Sequence, residues 1–370
     1  MGLRILFVTG TSTGGAARST EELGARLERR GHEVAALAGW RPRPRKDQLV
    51  PTRRRAATHR VAAMARLARS RLPFPPQPVR GSSYPTWRSR SPEGCLSLVC
   101  SQFRPDVVVV SAVGSPAWRA MRSVLIRSRT PCALYLRAEH AVHRLAQAPL
   151  PELVIANAFA HTEVVRQLGV EPVVTIPSVV ETGACQVDST RERALFVNPI
   201  GRRGLSVVLD IARERPDVPL TIHESAPLDA HDLGRLRTAI APLPNVELRR
   251  WVSDPRELYR DARVLLIPYQ TSSRPRVVLE AQSNGIPVLT SDLPGLQECV
   301  GPGGLLVDPA APPSVWAEAL DQLWDGPGSR HARYAAAALR HSRRPEVDPE
   351  VIVDSFEAEM VQLAGRPVRR

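Results

Sequence analysis

A chain of 370 residues, 43% hydrophobic and 24% charged, holds enough apolar side chain for two ordinary domains, which excludes disorder of the whole chain. No run approaches the roughly 20 apolar residues of a bilayer span, and Met1 to Val8 enters a strand-like run without a basic leader or cleavage site, so a cytoplasmic location is expected. The net charge of +13 is localised, because residues 41–90 carry fourteen Arg or Lys against the single acid Asp47, while the remainder balances at 36 of each sign. A basic patch confined to one segment argues against a nucleic-acid-binding fold. It suits peripheral contact with an anionic membrane surface, contact with an acidic acceptor, or plain solubility.

In chain order, Arg4 to Thr9 is a short apolar run suited to a buried parallel strand, Gly10 to Gly15 is a turn, and Ala16 to Gly31 has helical periodicity through Leu23 and Leu27. Glu33 to Ala38 then completes a βαβ unit. Asp106 to Ser111, Cys132 to Leu136, Leu153 to Ala156 and Val173 to Ile176 continue the series at helix-length intervals. After the turn-rich stretch Pro177 to Arg191 a second series begins, with strands at Ala194 to Val197, Leu220 to His223, Val246 to Leu248, Val264 to Ile267, Pro287 to Thr290 and Leu305 to Val307. The alternation predicts an α/β chain of two doubly wound parallel sheets in tandem. Residues 41–100 fit neither series and read as a basic, Pro-rich insertion, with helical spacing at Ala56 to Leu72 and a breaker cluster at Pro73 to Pro78. The closing helix, Glu350 to Leu363, carries an apolar face that must cover something. Five cysteines without a CxxC pair or histidines at zinc-ligand spacing read as reduced and structural.

The stretch Arg249 to Pro309 carries the most chemistry. A strand ends at Pro268, Glu280-Ala281 sits on a helix, Gly285-Ile286-Pro287-Val288 turns into the next strand, and Gly295-Leu296-Gln297-Glu298 precedes Gly304 to Pro309. This ordered pattern resembles the donor-binding half of the retaining glycosyltransferase family 4, also described as bacterial glycosyltransferase group 1, of GT-B fold. The resemblance implies two Rossmann-like domains facing across a cleft. Residues 1–180 would bind the acceptor, residues 181–345 the nucleotide sugar, and residues 346–370 would form a helix crossing back to the N-terminal domain.

The resemblance also assigns roles. Glu280 falls where a helix-held carboxylate accepts the ribose hydroxyls, with Pro275-Arg276-Val277 at the helix start placed for phosphate. Eight residues earlier, Ser272 stands where the family has a second glutamate, and Arg274 and Arg276 replace loop glycines, offering cations for a departing diphosphate. Of the family's phosphate-binding Arg and Lys pair, Asn198 takes the first position and Arg203 the second. Trp251 and Val252 lie in the base-binding segment, where Trp251 is either core or a stacking platform.

In the N-terminal half, Gly14 and Gly15 resemble the family's first glycine loop, and Arg137 stands where a histidine is usual, followed by Glu139 and His140 at the carboxyl end of a strand. The implied reaction moves a sugar from a nucleotide-diphosphate sugar, as co-substrate, to an acceptor hydroxyl with retention, with Arg137, Glu139, His140 and Arg203 as catalytic candidates. No paired carboxylates argue for double displacement, and no Asp-x-Asp cluster lies near the donor loop, so neither a metal nor another cofactor is expected. Three alternatives stay open: another GT-B enzyme such as a sugar-nucleotide epimerase, a degenerate glycosyltransferase needing a partner, and a basic nucleic-acid-binding protein.

Overall fold

The computed structural model describes residues 2–10, 14–39, 76–79, 82–111, 116–145, 148–324 and 329–369. These fall into two compact units, the first running to Val179 and resuming at Pro349, the second spanning Val180–Asp348. The basic helical spacing at 56–72 lies outside the described residues.

In the first unit, strands β1 (Arg4–Thr9), β2 (Glu33–Gly39), β3 (Gln77–Pro78), β4 (Thr86–Ser89), β5 (Val107–Ser111), β6 (Cys132–Leu136), β7 (Leu153–Ala156) and β8 (Val173–Thr175) form one sheet. Its order is β3-β4-β2-β1-β5-β6-β7-β8, parallel except for the β3–β4 pair. The alternation of side chains along a strand assigns residues to the two faces. Leu6, Val8, Leu37, Val108, Val110 and Leu134 point to one side, where helices Pro92–Phe103 and Pro116–Ser128 cover them. Ile5, Phe7, Val34, Val107, Val109 and Tyr135 point to the other, under helices Gly15–Arg29 and Pro349–Ala364.

The Pro349–Ala364 helix is what the closing apolar face covers with. Phe356 stacks on Phe7 at 6.0 Å and meets Tyr135 at 6.5 Å between ring centroids. On its polar side, Arg30 pairs with Asp354 at 2.5 Å and Glu357 at 2.9 Å, and with Glu350, while Arg26 also reaches Glu350.

The described part of 41–100 differs from the insertion expected there. Strand β4 pairs in parallel with β2, and Pro92–Phe103 buries Leu96, Val99 and Phe103 against the sheet. The segment from residue 82 onward is therefore one more strand and helix of the doubly wound series.

The second unit holds β9 (Arg193–Val197), β10 (Leu220–His223), β11 (Val246–Arg249), β12 (Ala262–Ile267), β13 (Val288–Ser291) and β14 (Gly304–Val307), all parallel, in the order β11-β10-β9-β12-β13-β14. Ala194, Phe196, Ile222, Val264 and Leu266 pack on helices Leu205–Glu214 and Pro313–Trp324. Leu195, Val197, Leu265, Ile267 and Val288 pack on the opposite side against Val278 and Ala281 of the Arg276–Ser283 helix and Leu296 of the Pro294–Val300 helix. Five buried cysteines are free.

Candidate active site

The carboxyl ends of parallel strands are where α/β sheets take their ligands, and the C-terminal unit concentrates polar side chains there. Val278 and Ala281 fix the Arg276–Ser283 helix on the sheet, which turns Glu280 inward. Glu280 is 2% exposed. Its Oε2 accepts from the Tyr259 hydroxyl at 2.6 Å and its Oε1 from Arg276 Nε at 2.6 Å. Burial, together with the Glu280 carboxylate, pushes the Tyr259 hydroxyl well above its usual range, so it stays a donor. Each carboxylate oxygen has two lone pairs. One acceptor position per oxygen therefore remains, which is what a vicinal diol requires.

The two loop arginines diverge. Arg276 goes to Glu280, whereas Arg274 lies close enough to Arg344 and His341 to act on both electrostatically. Arg344 is lowered to about 10, by burial first and by Arg274 second. Burial first, then Arg344 and Arg274, lowers His341. Ser272 is buried, and its Oγ accepts from the Gly295 N–H at 2.9 Å, satisfying a first-turn donor of the Pro294–Val300 helix. Pro275 is the residue preceding the Arg276–Ser283 helix, and Val277 stands in its first turn, packed on the apolar cluster.

At the end of β9, Asn198 adopts φ 71°, a left-handed conformation that asparagine tolerates better than most residues. The chain then turns through Gly201–Arg203 to Gly204 at φ 81°, where a Cβ would meet the Pro268 carbonyl oxygen at 1.9 Å. Only glycine permits that approach. It sets Arg203 over the Tyr269 ring, 4.1 Å from guanidinium carbon to centroid. Among the described residues Arg203 has no acidic partner, and its Nε is buried without a hydrogen bond.

Trp251, left open as core or platform, is 48% exposed, so it is not core. Its backbone N–H donates to Glu224 Oε2 at 3.2 Å, and Val252 beside it is half-buried. Sequence reasoning missed Glu224, although an acid directly after a parallel strand is the same signal that singled out Arg137. Tyr259 was also missed, and nothing in its 21-residue separation from Glu280 points to their contact.

In the N-terminal unit, Gly14 has φ 90° and precedes the Gly15–Arg29 helix, which begins at Gly15. Arg137 donates to Ser178 Oγ at 3.1 Å and Thr20 Oγ1 at 3.0 Å and stacks over Tyr135 at 4.2 Å. These contacts tie that helix to the irregular segment that follows β8. Glu139 is 3.6 Å from His143 at the start of the Glu139–Leu145 helix, and the His140 side chain lies outside the described residues. Among the described residues no helix is long and apolar enough to cross a membrane, and no three or more His, Cys, Asp or Glu gather as metal ligands.

Residues 205–326 match the family model described as Glycosyl transferases group 1, which bears out the resemblance over the donor half. A D-inositol 3-phosphate glycosyltransferase of Pseudarthrobacter chlorophenolicus is 31% identical over 173 residues, taking in 42% of this chain and 39% of that protein. One from Frankia alni is 34% identical over 154 residues, 41% of this chain and 33% of that protein. The chain thus spans less than two fifths of the length of these relatives. Among solved structures, sucrose-phosphate synthase of Thermosynechococcus elongatus superposes with a TM-score of 0.74 at 14% identity, covering 98% of this chain and 99% of that one. HepE of Anabaena in complex with UDP gives 0.69 at 15% identity, covering 97% and 100%. The fold is the GT-B fold shared with these structures, as the strand pattern and motifs led us to expect.

Proposed function

We propose that this chain, whose donor half matches group 1 glycosyltransferases, transfers a sugar from a nucleotide-diphosphate sugar to an acceptor hydroxyl, with retention and without a metal ion. The observation that carries the reading is Arg203, an arginine fixed on Tyr269 at a strand end with no acid to neutralise it among the described residues. Such a cation is suited to a diphosphate, whose negative charge grows as the bond to the sugar breaks, and a cation held in advance stabilises that charge without reorganising. Glu280 has acceptor positions for the ribose, and Trp251 offers an exposed ring to the base. The UDP bound by HepE supports the same class of ligand.

Retention fits Ser272 at the position of the family's other glutamate, where a hydroxyl bonded to the Gly295 N–H stands in place of a carboxylate that could act as nucleophile. The acceptor then attacks on the face from which the diphosphate leaves, and placement and leaving-group stabilisation supply the rate. In the N-terminal unit we assign Arg137 a positioning role through Thr20 and Ser178, and leave Glu139 and His140 as candidates for the acceptor side.

The Ser272 side chain, engaged with the Gly295 N–H, favours a second reading in which the donor is bound and a partner completes catalysis. A thermal-shift panel of UDP, GDP and TDP and their sugars separates these readings, since a ligand of the folded state raises Tm. Stabilisation by one nucleotide sugar together with its consumption supports the transferase. Stabilisation without turnover supports the second reading, and no shift with any nucleotide refutes both.

A further inference from the structure

On the C-terminal sheet, the Asn198 N–H donates to the His223 carbonyl at 2.9 Å and the Glu224 N–H donates to the Arg249 carbonyl at 3.1 Å. The residues that leave β9, β10 and β11 therefore stand side by side on one rim, in the order Asn198, Glu224, Arg250. Glu224 is the carboxylate of that row and is 1% exposed. Its Oε2 takes the Trp251 N–H at 3.2 Å and Arg250 Nε at 3.0 Å. Its Oε1 is buried and has no hydrogen-bond partner among the described residues. An unpaired buried acceptor of this kind is costly, and at a ligand-binding rim its natural complement is a donor on the ligand.

We propose that Glu224 reads the base of the donor nucleotide and selects guanine. This rests on the nucleotide-sugar reading above and deepens it. Oε2 holds the turn that displays the exposed Trp251 ring, and Oε1, with two lone pairs, accepts from the adjacent N1–H and 2-amino group of guanine. Uracil presents one N–H flanked by two carbonyl oxygens, which face the Arg250-paired carboxylate unfavourably. A glutamine of the same shape removes the charge and can donate to those carbonyls.

Isothermal titration of GDP, UDP and inorganic pyrophosphate against wild type and Glu224→Gln tests this. Wild type should bind GDP more tightly than UDP, and Glu224→Gln should lower the ratio of GDP to UDP affinity by roughly 10-fold or more. Pyrophosphate, which has no base, should bind both proteins alike. Equal binding of GDP and UDP by wild type overturns the proposal. So does an unchanged ratio in Glu224→Gln, including an equal loss for both nucleotides, which is what a merely structural role would give. Should that variant not fold, wild type with inosine diphosphate decides: lacking the 2-amino donor, it should bind roughly 10-fold more weakly than GDP, and equal affinity overturns the proposal. Wild type that binds neither nucleotide removes the nucleotide-sugar reading as well, whereas the other failures leave that reading standing.

Discussion

Removing the Glu280 carboxylate should have two separable consequences. In Glu280→Ala, Arg276, whose side chain is 9% exposed, loses the acid on its Nε, and the fully buried Tyr259 hydroxyl loses its acceptor. Breaking a buried pair by deleting one partner costs about 3–5 kcal/mol, and an unsatisfied hydroxyl about 1–3, so the total is about 4 kcal/mol or more once non-additivity is allowed for. In a domain of this size that lowers Tm by roughly 8–16 °C, a large share of a typical stability of about 5–15 kcal/mol. Glu280→Gln retains the volume and one acceptor oxygen, so it should unfold much closer to wild type. Its nucleotide affinity should nevertheless fall about 10- to 100-fold, the value of hydrogen bonds to a charged group. The assay is thermal unfolding of Glu280→Ala, Arg276→Ala and the double variant, with nucleotide titration of Glu280→Gln. If the two alanine effects add to within about 0.5 kcal/mol, the pair is not coupled and the structural half of the argument fails. If Glu280→Gln binds nucleotide as tightly as wild type, the ribose role is refuted.

Arg203→Ala should weaken binding of whichever nucleotide diphosphate stabilises the wild type by about 10- to 100-fold, with Arg203→Lys intermediate, because a lysine keeps the charge but loses the planar stacking on Tyr269. Equal titration curves for wild type and Arg203→Ala would dismiss it as the diphosphate cation. Stability should also fall in mild acid. His223, His331 and His341 are each lowered, first by burial and then in part by nearby arginines, so each folds as the neutral ring. Their contribution is complete above the unfolded value of about 6.5 and is lost as pH drops through the lower folded values, at most about 1.4 kcal/mol per pH unit for each proton taken up. Thermal melts at pH 7.5 and 5.5 should show a lower Tm in acid and a smaller drop in His331→Gln. An unchanged drop would remove His331 from the account.

Most strands were legible because a strand buried on both faces writes itself as a continuous apolar run. Arg4–Thr9, Cys132–Leu136 and Leu220–His223 fall where their runs predict. Thr86–Ser89 was not legible: a four-residue strand of sequence TWRS, outermost but for the two-residue β3 and preceded by a Pro-rich stretch, has no apolar run to read. In the site, Glu280 emerged from its motif and the Arg276–Glu280 pair obeys the i,i+4 rule. Tyr259 and Glu224 reach their partners through tertiary packing alone. Arg274, in the loop before the helix, and Arg276, its first residue, meet different neighbours through tertiary packing, and composition does not record that.

The departures from the family pattern acquire a physical sense once their neighbours are known. A Cβ on Gly295 would lie 2.8 Å from Ser272 Oγ, so positions 272 and 295 are packed for small side chains. A glutamate at 272 would lose the hydrogen bond to the Gly295 N–H and would have no room to remain there. The neighbouring Ser273 hydroxyl is buried and has no hydrogen-bond partner among the described residues. At the proposed sugar end, then, a carboxylate gives way to hydroxyls and backbone amides, which bind neutral sugar hydroxyls without adding charge. Asn198 likewise removes one cation from the phosphate end and leaves Arg203. One charge is withdrawn at each end, while the loop adds Arg274 and Arg276; Arg276 is engaged by Glu280, and Arg203, fixed on Tyr269, is the cation proposed for the leaving diphosphate.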